Sequence, residues 1–141
     1  MSAASGSATP RPNTPPLSPH LQIWGWTVTM AASITHRATG IALYAGTVLL
    51  AIWAVALGLG DAAFGPVAAL FASPLGVLVL GGYAWALFFH LMNGVKHLYQ
   101  DTGRGLRYET AKGTAWFIYA ASLTLAAITI FAGLSARGGA A

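Results

Sequence analysis

Cysteine is absent from the chain, and its absence rules out disulfides, thiolate metal sites, iron–sulfur ligation and cysteine nucleophiles. Any redox cofactor held here must be held by histidine. Charge is scarce too: three acidic and seven basic residues make up 7% of the 141 residues. The pI of about 9.9 does not mark a nucleic-acid binder, because cations so few and so scattered cannot form a stripe that tracks phosphates. No internal repeat and no glycine-rich phosphate loop occurs. Instead the composition is apolar, with 56% hydrophobic residues and a mean hydropathy of +0.64. An ordinary soluble domain of this length does not look like that.

Three runs carry no formal charge: Ala38 to Gly60 (23 residues), Ala62 to Val95 (34 residues) and Gly113 to Ala136 (24 residues). Each is long enough to span a bilayer, for which roughly 20 apolar helical residues suffice. The middle run exceeds one span, but Gly65-Pro66 and Ser73-Pro74 read as breaks and leave Leu75 to Tyr99 as its helical part. The expectation is an all-α membrane protein with three transmembrane helices, about 27–59, 74–100 and 111–136, in an up-down-up bundle within an anchor domain spanning 20–141. Arg11 and Arg37 precede the first helix, and Lys96, Arg104, Arg107 and Lys112 flank the connection between the second and third; the first loop holds only Asp61, and Arg137 is a single dissenting charge. By the positive-inside rule the N-terminus is cytoplasmic. Residues 1–19 contain Pro10, Pro12, Pro15, Pro16 and Pro19 and read as an extended, mobile tail. The tail lacks the apolar core of a secretory signal and is too poor in arginine for a mitochondrial transit peptide, so a bacterial inner membrane is expected rather than an organelle.

His90 lies in FFHLMNGVKHLYQD, positions 88 to 101, about 10 residues or roughly 15 Å inside the cytoplasmic end of the second helix. An imidazole at that depth is costly and needs a reason. Ala86 and Gly94, one turn to either side, make its flank flat enough for a porphyrin, and haem iron takes imidazole as an axial ligand. An interhelical hydrogen bond or a proton relay would also account for it. His36 and His97 are expected near the membrane surface, missing the far side of a haem on His90 by roughly 10 Å or more; a second ligand would then come from a partner subunit. Ser33 and Arg37, four apart, share a helical face beside His36. A hydroxyl beside a fixed cation suits a quinone oxygen or a haem propionate, although an arginine here can also simply snorkel; the same holds for Lys96 and Arg104. Asp101, four residues after His97, could orient that ring or receive its proton, or be a helix-end charge in water. His20 sits in the expected tail region, and Trp24, Trp26, Trp116 and Tyr99 fall where aromatic rings anchor helices at interfaces.

SPHLQIW at 18 to 24, SITHRATG at 33 to 40 and HLMNGVKHLYQD at 90 to 101 resemble, in order and spacing, the cytochrome b subunits of succinate dehydrogenase, the larger membrane anchor of respiratory complex II. The resemblance covers about residues 17 to 136. It implies an anchor that pairs with a second small anchor subunit, carries flavoprotein and iron–sulfur subunits on its cytoplasmic side, and serves ubiquinone reduction. It assigns His90 as axial ligand of a haem b shared with the partner anchor. Ser33 and Arg37 map to the quinone pocket, His36, Arg37 and His97 to the haem propionates or their vicinity, and Asp101 to a proton path. Relatives often carry Tyr-Arg-Pro where this chain reads Trp24, Gly25, Trp26, which removes a cation near the quinone entrance. On this reading the chain is not by itself a catalyst of succinate oxidation. A fumarate reductase anchor and a haem-free structural anchor are the alternatives.

Overall fold

The computed structural model describes residues 23–138; the tail expected over 1–19, with Arg11, and His20 lie outside the described residues. Among the described residues four helices follow one another: α1 (Val28–Gly58), α2 (Asp61–Ala72), α3 (Pro74–Asp101) and α4 (Tyr108–Gly138). Among the described residues there is no strand. Three of the helices, α1, α3 and α4, are long and apolar enough to cross a membrane.

The ends follow from local chemistry. Thr27 opens α1 by accepting a hydrogen bond from the Met30 amide at 3.3 Å, as a threonine N-cap does. Ser73 is extended (φ −66°, ψ 159°), as a residue before proline must be, and its hydroxyl accepts from the Gly76 amide at 3.1 Å with Pro74 in the first turn. Gly60 turns the chain between α1 and α2 at φ 93°, a backbone conformation that residues with a Cβ avoid.

The Gly65-Pro66 pair does not break the chain: it lies inside α2, a 12-residue helix where an irregular segment was expected. The steric clash that drives a residue before proline out of the helical region involves its Cβ, and Gly65 has none. Pro66 still costs the bond to the Ala62 carbonyl and crowds that oxygen with its ring. The break falls at Ser73-Pro74, where α2 folds against the start of α3 so closely that a Cβ on Gly76 would collide with backbone atoms of Leu70 and Phe71.

Successive long helices run antiparallel. The first turns of α1 meet the last turns of α3, and Thr35 of α1 is hydrogen-bonded to Tyr119 of α4 at 2.7 Å. The core sits at this end: Ala32, Phe89, Ala115 and Ile118, with Val28, Trp85, Met92 and Tyr119 packed around them. Small residues between the helices let the backbones approach, which is how apolar helices pack when lipid removes the hydrophobic drive between them. Large side chains such as Ile41, Tyr44, Leu78 and Phe131 stay exposed, the surface expected of helices that face acyl chains or other subunits.

Candidate haem and quinone site

The histidines of α1 and α3 converge. His36 and His90 stack face to face, ring centroids 4.0 Å apart and planes 17° from parallel, and His97 lies 5.2 Å from His36. This corrects the expectation that His36 would miss His90 by a large step in depth. Because α1 begins at Val28, His36 is about 12 Å into its helix, while His90 is about 16 Å from the end of α3 at Asp101; antiparallel packing brings the two to similar depths. The stack leaves no gap for a macrocycle between the rings, so His36 is not arranged as a second ligand to an iron on His90.

The protonation of His90 follows from its neighbours. Its Nδ1 lies 3.1 Å from the main-chain oxygen of His36, and a carbonyl can only accept, so the ring proton is on Nδ1. Thr39 Oγ1, which donates to that same carbonyl at 3.0 Å, lies 3.3 Å from Nδ1. In the neutral ring with its proton on Nδ1 the lone pair is on Nε2, which has no hydrogen-bond partner among the described residues. A neutral imidazole held through Nδ1–H and free at Nε2 is the donor chemistry of an axial ligand. Gly40 and Gly94 flank the stack: a Cβ on Gly40 would sit 3.0 Å from His90 Cε1, and one on Gly94 3.9 Å from His36 Nε2.

A second polar strand of the site escaped the sequence reading. Asn93, fully buried, donates from Nδ2 to Nε2 of the exposed His97 at 3.1 Å; among the described residues His97 makes no hydrogen bond to Asp101. Asp101 is exposed. Among the described residues neither Asn93 Oδ1 nor His36 Nε2, both buried, has a hydrogen-bond partner, a state that folded proteins rarely tolerate. The signal was present, since Asn93 is three residues after His90 and four before His97, on one helical face. Ser33 is half-buried and Arg37 exposed on α1 close by, neither with a hydrogen bond among the described residues. Between α3 and α4 a groove of about 570 Å³ opens beside Lys96, Gln100 and Thr114.

The model of the succinate dehydrogenase/fumarate reductase transmembrane subunit matches residues 11–129. The chain belongs to that family. It is 41% identical over 115 residues to the succinate dehydrogenase cytochrome b556 subunit of Paracoccus denitrificans, covering 82% of this chain and 88% of that protein. Its identity to the subunit of the same name from Rickettsia felis is 35% over 113 residues, 80% and 88% of the two chains. With the mitochondrial succinate dehydrogenase cytochrome b560 subunit of Homo sapiens it shares 40% over 95 residues, 65% of this chain and 56% of the human protein. The histidine cluster and its glycines all lie within the matched residues. As a transmembrane subunit of this family the chain has a membrane-anchoring role, and its three long apolar helices fit it.

Proposed function

We propose that this transmembrane subunit co-ligates haem b with a partner anchor subunit and lines a ubiquinone-reduction site of a succinate dehydrogenase in a bacterial inner membrane, its histidine end toward the cytoplasm. The observation that carries the reading is His90: inside an apolar bundle, its Nδ1–H is held by the His36 carbonyl and its Nε2 lone pair is left for iron. That the relatives are named cytochromes b556 and b560 supports it. Bound there, haem b supplies a one-electron redox centre. The second axial ligand belongs to the partner, because in this chain His36 is stacked on His90 rather than placed across from it.

The remaining residues take roles suited to their positions. His36 Nε2, buried and without a partner among the described residues, meets a haem propionate, and Arg37, next to it in sequence, and His97, 5.2 Å from it, share that charge. Ser33 and Arg37 hold a quinone oxygen by hydroxyl and guanidinium, a charge-assisted pairing that orients the head group. Asp101 and His97, both exposed at the end of α3, provide a route for protons from the aqueous phase to the quinone. Iron–sulfur and flavoprotein subunits, docked on the basic loop between α3 and α4, oxidise succinate; this cysteine-free chain offers them no clusters of its own.

A reduced-minus-oxidised absorbance spectrum of the purified complex tests the reading. Low-spin bis-histidine haem in the complex, with little or none on this chain expressed alone, is the expected result. A complex without haem, or stoichiometric bis-histidine haem on the isolated chain, overturns it.

A further inference from the structure

Resting on the haem reading, we infer that Thr39 is a positioning residue for His90, and that with Gly40 it fixes the plane of the ligating ring. Threonines inside helices commonly return their hydroxyl proton to a carbonyl three or four residues back, and Thr47, Thr114, Thr124 and Thr129 do so here from exposed positions. Thr39 differs in being 4% exposed and in facing a second helix.

Its single proton goes to the His36 carbonyl at 3.0 Å, so a lone pair is what it presents to His90 Nδ1 at 3.3 Å. The Nδ1–H therefore sits between two acceptors on α1, the carbonyl at 3.1 Å and the hydroxyl oxygen. The stack on His36 and the carbonyl already limit rotation about the bond to Cβ; a second acceptor, offset from the first, narrows the range of ring planes that keep the Nδ1–H bonded. Gly40 completes the arrangement on the same side of the ring, at Cε1 beside Nδ1. A Cβ at that position would press on His90 Cε1 at 3.0 Å, so glycine is what allows α1 near enough for both acceptors to reach the ring. Ring plane and Nδ1 hydrogen bonding are the levers by which a protein sets the basicity of an axial imidazole and the potential of its iron. Thr39 acts on the iron through His90 and touches neither haem nor quinone in this role.

The test uses the assembled complex carrying Thr39→Val, which keeps the branched shape and loses the hydroxyl, and Thr39→Ser, which keeps the hydroxyl. Thr39→Val is expected to retain haem while shifting the low-field g value of the ferric low-spin signal and the haem midpoint potential, and Thr39→Ser to restore both toward wild type. An assembled Thr39→Val complex with both quantities unchanged overturns the inference. Should that variant fail to assemble, Gly40→Ala presses on the same ring edge and is expected to move the same g value; an unmoved signal there overturns it equally. A His90→Leu complex separates the two levels. If its haem signal is unaltered, the ligation reading itself fails; if that signal is altered while Thr39→Val is silent, only the role of Thr39 falls.

Discussion

The two ends of the bundle are built on different principles. At the histidine end, polar contacts cross between helices: His90 to the His36 carbonyl, Thr39 to His90, Thr35 to Tyr119, all beside the buried Phe89 and Ala115. At the other end, α1, α2 and α3 meet through apolar side chains around a cavity of about 280 Å³ lined by residues such as Leu50, Trp53, Phe71 and Tyr83. The one interhelical hydrogen bond there among the described residues runs from Arg137 to the Ala72 carbonyl at 3.4 Å, which gives the dissenting cation a partner at the C-terminal end of α2. In a bilayer both close packing at small residues and interhelical hydrogen bonds bring helices together, and only the latter also fix the direction of a polar ring. The end that must place an imidazole to a fraction of an ångström is the end that has them.

Substitutions can break this contrast. The largest effect is expected at the histidine end, on function: Arg37→Ala or Ser33→Ala should lower succinate:quinone activity about 10- to 100-fold, the scale of a lost charge-assisted hydrogen bond. Succinate oxidation measured with an artificial water-soluble acceptor should be spared; equal loss of both activities would mean failed assembly and leave no special role for this end. At the opposite end the expected losses are of stability alone. Gly76→Ala, whose Cβ would meet the backbone of Leu70 and Phe71, and Gly46→Ala, whose Cβ would meet the Tyr83 ring, should each cost about 1–3 kcal/mol by overpacking. Thermal inactivation of the complex would reveal it, while the haem spectrum at low temperature stays that of wild type; a changed spectrum would show that the ends are coupled. The smallest effect is reserved for Thr35→Val, which removes the contact to Tyr119 and should cost about 0.6 kcal/mol, the average for such bonds in membrane bundles.

Charge-free length was enough to read three spans, because a bilayer imposes a minimum apolar length that few other structures need. Helix α2 was not legible: the Gly-Pro pair that usually marks a turn is tolerated inside this helix, where the residue before proline has no Cβ to clash. His90 stood out in the sequence as an imidazole far from any charge. Its pairing with His36 did not, since Arg37 reads as a surface residue, although a helix starting near residue 27, as α1 does at Val28, already carries His36 about two turns inside. Thr39 and Gly40 look like ordinary small helix residues until a second helix is laid against them. Asn93 is visible in the sequence, three residues from one histidine and four from the next on one helical face.

The account turns on whether His90 binds iron, and the most direct measurement is the low-temperature absorbance and electron paramagnetic resonance of the assembled complex carrying His90→Ala. Loss or perturbation of the low-spin haem signal, with the flavoprotein still oxidising succinate, is the predicted result. A spectrum indistinguishable from that of the unmodified complex would contradict it.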